Sequence, residues 1–429
     1  MQVAGLRLAP NRARAARAVT DQPNTAAPAM AGAPIHFVEF VALVASMMSL
    51  TALGIDSMLP SLPDIGRSLH VADPNAAQLV ITAFVTGLGI GQLLHGPLAD
   101  RFGRRRLLIV ALSAYAVCNV ACALAGSFAL LLTARVLGGM AIAATRVAVV
   151  AMVRDCYHGR AMARVMSIAF MVFMIVPVIA PTFGFAVVQF ASWRMVFWII
   201  GGITLAVLAW FSIRMPETLH PDGRMPLSPA RIIGAWKATF ADRWSVGYTI
   251  GSAALMGALY GYLNSIEQIT AETFGQPTLL ALVFATTAGA MAVANLLNAR
   301  LVMRLGTRLI SHGAVALMIL LNAGHLLAIA LGLESLIVFM ILQGLTMACF
   351  GLATSNFSAM AMENMGQIAG IASSVQGCAS ITLGAVIGLV IGQSFTGSAV
   401  PLVVGFLGAS LVALAAIAVT ERGRLFRPI

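Results

Sequence analysis

The chain has 429 residues, 60% of them hydrophobic and only 10% charged, against about 25% charged in soluble domains. A soluble fold has too little interior to hide so much apolar residue, so the solvent implied is lipid. The formal net charge of +11 would point to nucleic acid in a soluble protein, but the placement of the charges along this chain excludes that partner.

The first 36 residues carry Arg7, Arg12, Arg14 and Arg17, then a Pro/Ala-rich stretch. They lack the apolar core of a signal peptide. They read as a disordered cytoplasmic tail, with Met30 as an alternative start. Twelve apolar runs of spanning length follow, at about 37–59, 77–99, 106–125, 128–152, 163–190, 195–213, 245–266, 279–301, 308–331, 335–359, 367–393 and 399–420. The longest polar stretch, 214–244, separates a six-helix half at 37–213 from a second at 245–420, and 421–429 forms a short tail. The fold class expected is an all-α polytopic membrane protein of twelve transmembrane helices in two six-helix halves.

Basic residues concentrate on the cytoplasmic side of membrane proteins. With the N-terminus in the cytoplasm, all but four of the 26 basic residues fall on that side, and both termini with them. Arg67 and Arg194 lie opposite, while Arg135 and Arg146 lie inside span four. A missed or invented helix would flip every later loop, so this asymmetry supports the count of twelve.

At the end of span one, Ile55-Asp56-Ser57-Met58-Leu59-Pro60 places an acid close to the outer surface. Ionisable groups within bilayer spans are costly and usually functional. Asp56 reads either as a proton carrier or as an interfacial Asp facing water. After span two comes Gly96-Pro97-Leu98-Ala99-Asp100-Arg101-Phe102-Gly103-Arg104-Arg105. Gly103 allows a tight turn between helices. Asp100 can pair with Arg or face a helix N-terminus across the two halves. The same pattern recurs 203 residues later, where Leu301, Arg304, Gly306 and Arg308 match Leu98, Arg101, Gly103 and Arg105. Parallel repeats of six helices build one large transporter class.

In span four, Arg135 and Arg146 are three turns apart, so both guanidiniums share one face about 16 Å apart. Arg stays charged, so each needs a carboxylate, a carbonyl or a wet cavity. Snorkelling toward the cytoplasmic face is a second reading for Arg146. Span five contains Pro177, Ala180, Pro181 and Gly184, a proline kink beside small residues that permit close helix contact. Gly87 and Gly91 in span two, and Gly384, Gly388 and Gly392 in span eleven, form further small-residue faces. In the later spans Tyr260, Asn264, Asn295, Gln343, Asn356 and Gln376 are candidates to line a cavity, with interhelical hydrogen bonding as the alternative. Tyr260 and Tyr262 could stack on a flat substrate. Glu267 is a second-choice proton carrier.

No ATP-binding loop is encoded, because the only lysine, Lys237, lies between Trp236 and Ala238 rather than in G-K-[ST]. The five cysteines and seven histidines are dispersed. Cys118 and Cys122 share a face, but they read as apolar packing rather than as a metal pair. No cofactor and no metal are expected.

The loop from Gly96 to Arg105 resembles the signature loop of the major facilitator superfamily. Arg135 with Gly139 resembles its R-x-x-q-G motif, with Gly138 where Gln is usual. The span-five segment resembles its antiporter motif G-P-x-x-G-G. Pro181 and Gly184 match that motif, while Ala180 and Phe185 replace glycines. The segments IDSMLPSLP, MVRDCYHGRAMARVMS and ASWRMVFWI resemble the Bcr/CflA-type multidrug efflux branch. That resemblance, over residues 37–420, implies a bacterial inner-membrane exporter, not an enzyme. It would exchange small, partly apolar compounds for protons by alternating access, as a monomer. It also implies that Asp56 and Arg135 couple the proton, and that Gly96, Asp100, Arg101, Gly103 and Arg104 gate. Two alternatives stay open: proton-coupled import on the same fold, and a non-transporting sensor or assembly partner.

Overall fold

A computed structural model describes residues 32–220, 224 and 228–426. Most of the expected tail, with its four arginines and Met30, lies outside these residues, as does Arg427. Among the described residues there are fourteen α-helices and no strands.

The first half holds α1 (Phe37–Asp56), a short α2 (Leu62–Ser68), α3 (Leu79–Phe102), α4 (Arg104–Ala123), α5 (Phe128–Cys156), α6 (Gly159–Phe190) and α7 (Arg194–Arg214). A connecting α8 (Pro229–Ala241) follows. The second half holds α9 (Arg243–Gln268), α10 (Leu280–Leu305), α11 (Thr307–Ala330), α12 (Leu336–Ala361), α13 (Ala369–Gln393) and α14 (Val400–Thr420). The halves meet where α3 packs on α13 and α6 packs on α10.

Several helices outrun their expected spans on the Arg-rich face. α3 continues to Phe102, α5 to Cys156 and α10 to Leu305, and α6 begins at Gly159. Hydropathy marks the hydrocarbon core, whereas helical hydrogen bonding continues into the headgroup zone. The stretch 214–244, expected as a loop, contains α8, with Ala235 and Thr239 buried and Ile233 and Phe240 exposed. Its two-faced character is hidden from a hydropathy scan by its short length.

Eleven of the twelve long helices are apolar enough to cross a membrane on length and composition alone. The exception is α9, with Ser, Asn, Gln and Tyr along its length. Most of α9 is buried inside the protein, so little of it needs to match lipid.

The repeat seen in the sequence is a repeat of geometry. α3 and α10 both end at a glycine of positive φ, 95° at Gly103 and 78° at Gly306, and the next helix starts at once. Ser127 caps α5 by accepting from the Leu130 N–H, and Ser335 caps α12 by accepting from Val338, each at 3.3 Å. Arg135 lies eight residues past the first cap and Gln343 eight past the second.

The small-residue rows make close helix contacts. Gly87 and Gly91 let α3 approach the α5 backbone at Val136 and Met140. Gly384 and Gly388 let α13 approach α9 at Met256 and Tyr260. Both are contacts within a half. The contacts between halves use Gly89 against Thr382, Gly96 against Ser374 and Gly377 against Gln92. Gly392 reaches both ways, to Asn264 and to Gln78.

Candidate functional site

On the Arg-rich face, the turn at Gly103 is tied into a charged knot. Arg104 is 4% exposed. Its guanidinium meets Asp100 at 3.1 Å and Asp155, near the end of α5, at 3.0 Å, and donates to the Ala99 carbonyl at 2.8 Å. Glu217, just beyond α7, accepts from the backbone N–H groups of Arg104, Thr218 and Leu219 at 2.9, 3.1 and 3.1 Å. A carboxylate there satisfies free N–H groups at the start of α4 and complements its dipole. A side chain at Gly103 would overlap the Glu217 carboxyl, so this glycine supplies room as well as a turn. The partner of Asp100 is thus Arg104 of its own half rather than an arginine across the interface.

The second half repeats the plan with other residues. Arg308 meets Glu421, just beyond α14, at 2.8 Å and Glu363 at 3.3 Å. Tyr248 donates to Glu421 at 2.6 Å. In each half the turn after the second long helix grips the chain leaving the sixth.

Between the halves lies a cavity of about 420 Å³ that reaches this face, within the range of small-molecule sites. Asp100 and Gly96 line one side of it, and the first turns of α13, from Gly370 to Ser374, line the other. Arg146 and Arg154 project from α5 into it. Of the residues anticipated for a cavity, Gln376 lines it, and its amide donates to Ser245 and to the Ala361 carbonyl. Arg101 is exposed beside the knot.

The opposite end of the interface is closed by uncharged polar groups. Gln268 of α9 hydrogen-bonds Gln78 and donates to Asn75 at 2.8 Å. Gln393 of α13 donates to the Asn75 carbonyl at 2.7 Å, and Asn75 donates to the Phe395 carbonyl at 3.1 Å. Asn264 donates to Thr82 at 3.2 Å and to the Gly388 carbonyl at 3.1 Å. Tyr260 lies buried under Gly388, and Tyr262 bonds Thr287 at 2.8 Å. Neither tyrosine lines the cavity, so neither is placed to stack on a substrate there. Asn295 packs near Gly351, and Gln343 is fully buried.

Asp56 closes α1 with 5% exposure and makes no hydrogen bond or ion pair among the described residues. It is therefore not the water-facing interfacial residue of the alternative reading. The next residue, Ser57, takes the close approach of α6: a Cβ at Gly184 would overlap the Ser57 carbonyl. The motif glycine is thus a backbone contact beside the buried acid. Pro181 sits within α6 one residue after fully buried Ala180.

Arg135 is 2% exposed and lies away from the cavity lining. Its Nε donates to the Val80 carbonyl at 3.0 Å, and its guanidinium stands 4.2 Å from the centre of the Phe84 ring. No ion pair joins it to Asp56 among the described residues. Gly54, two residues before Asp56, abuts the Phe84 and Tyr115 rings.

A family model described as Major Facilitator Superfamily matches residues 43–389. The chain belongs to that superfamily. Among facilitators it is 28% identical over 373 residues to "Uncharacterized MFS-type transporter YdgK" of Bacillus subtilis, covering 84% of this chain and 90% of that one. It is 27% identical over 375 residues to "Bicyclomycin resistance protein homolog" of Haemophilus influenzae, covering 85% and 91%. The fold is that of the peptide transporter POT, solved in complex with sulfate. The TM-score is 0.73 at 15% identity, over 91% of this chain and 95% of that one. The resemblance to Bcr/CflA-type efflux facilitators agrees with these relatives, and the protein is a multi-pass membrane transporter.

Sequence reasoning missed Asp155, Glu217, Glu421 and the amide closure. Asp155 stands among the basic residues after span four, and Glu217 directly follows span six. Acids so placed on a positive face were the available signal.

Proposed function

We propose that this facilitator is a proton-coupled exporter of small, partly apolar compounds working by alternating access in a bacterial inner membrane, with both termini in the cytoplasm. The observation that carries the reading is a buried, unpaired Asp56 at the end of α1 away from the Arg-rich face, in a protein whose central cavity opens on that face. A charged carboxylate without a partner is costly to bury, so a dry Asp56 favours its protonated form. When the halves rock and wet that end, the ionised form becomes affordable and the proton can exchange. Protonation and substrate then favour different states, and that difference in affinity is the coupling.

Other residues have supporting roles in this scheme. Arg135, held on the Val80 carbonyl and over the Phe84 ring, adds a fixed positive charge within the same half. The Asp100–Arg104–Asp155 knot, all within the first half, fixes that half's side of the cavity mouth as α13 moves against it. In proteoliposomes, Asp56→Asn is expected to abolish gradient-driven exchange while substrate binding survives. Full exchange in that variant would remove Asp56 from the mechanism. Substrate-driven proton entry with import, rather than export, would reverse the direction assigned.

A further inference from the structure

We infer that the central cavity selects compounds bearing a negative charge, with Arg146 as the residue that holds it. This rests on the reading of the cavity as the transport site. Arg146 lies ten residues before the end of α5, so about 15 Å from the Arg-rich face. The apolar span itself ends near residue 152, so Arg146 lies about six residues, or roughly 9 Å, inside the hydrocarbon edge. Its side chain lines the cavity between the halves rather than facing lipid, so snorkelling along a lipid face does not account for it. It is exposed to the cavity and makes no ion pair or hydrogen bond among the described residues. Arg104, Arg214 and Arg308 are each held by a carboxylate.

The rest of the lining has the same bias. Among the described residues its one carboxylate, Asp100, is engaged by Arg104, whereas Arg154 adds a second positive charge at the mouth. Hydroxyl donors from Ser252 and Ser380 stand opposite. No aromatic ring among the described residues lines the cavity, so a cationic guest would find there neither a free carboxylate nor a π face. A carboxylate or similar oxyanion would find a guanidinium fork and hydroxyls, and hydrogen bonds between charged partners are the strong ones.

The test uses the full chain in nanodiscs and three probes on one apolar scaffold: naphthylacetate, its neutral amide naphthylacetamide, and naphthylethylammonium. Wild-type protein should bind the acetate more tightly than the other two. Arg146→Ala should weaken the acetate by roughly ten- to a hundredfold and leave the amide unchanged. Arg146→Lys should recover much of the loss, and Arg146→Gln serves if the alanine variant does not fold. Equal or absent responses to the three probes, or preference for the ammonium, would overturn the inference. Arg146-dependent binding of the acetate with no proton-driven flux in proteoliposomes would leave this site standing and sink the exporter reading instead.

Discussion

Gly184 and Gly202 are both helical glycines, yet a methyl group meets opposite surroundings at each. At Gly184 it overlaps the Ser57 carbonyl, whereas at Gly202 it meets nothing within 4 Å. Gly184→Ala should therefore destabilise the purified protein by about 1–3 kcal/mol. Gly202→Ala should be neutral or slightly stabilising, because alanine is the better helix former. Thermal melting of the two variants side by side decides this, and equal shifts would mean that α6 can yield at Ser57. Arg104 poses the same kind of contrast in charge. Arg104→Gln leaves Asp100 and Asp155 facing each other without their cation, at a cost of about 2–3 kcal/mol. Adding Asp155→Asn should recover part of that loss in the same measurement, because one stranded charge is then removed.

At the scale of elements, the closed end of the interface is held by side-chain amides and hydroxyls, not by ion pairs. Each such hydrogen bond is worth about 0.5–1.5 kcal/mol. Gln268→Ala removes the bonds to Gln78 and Asn75, which should move the two-state balance by roughly tenfold toward the state open on that end. Distances between spin labels placed on α3 and α13 at that end report the shift, and unchanged distances would show that the closure lies elsewhere. The sequence carried clear marks of the repeated parts. The glycine turns at Gly103 and Gly306 and the serine caps at Ser127 and Ser335 are local features, decided by residues a few positions apart. The closure and the Glu217 and Glu421 grips were not legible, because each joins residues more than a hundred positions apart that carry no shared pattern. Asp56 was visible as an acid in a span. Whether it faced water depended on α6 crossing at Ser57, which no reading of span one contains.

For the whole molecule, the count of helices followed from charge placement better than from hydropathy. α9 falls short of a membrane-crossing hydropathy because its neighbours, not lipid, surround it. A fluorescent reporter that matures only in the cytoplasm should light up on the C-terminus of this facilitator, and a periplasmic phosphatase fused there should stay silent. The reverse pattern would invert the assigned topology. Arg146 also bears on the energetics of a full cycle. If its guest is a monoanion exchanged for one proton, each turnover carries two positive charge equivalents into the cell. At about 2.3 kcal/mol per charge per 100 mV, membrane voltage alone then supplies about 4.6 kcal/mol, with no difference in pH. Vesicles clamped with potassium and valinomycin should therefore drive export at equal pH on both sides. A neutral cargo would halve that electrical dependence, and a monovalent cation would erase it.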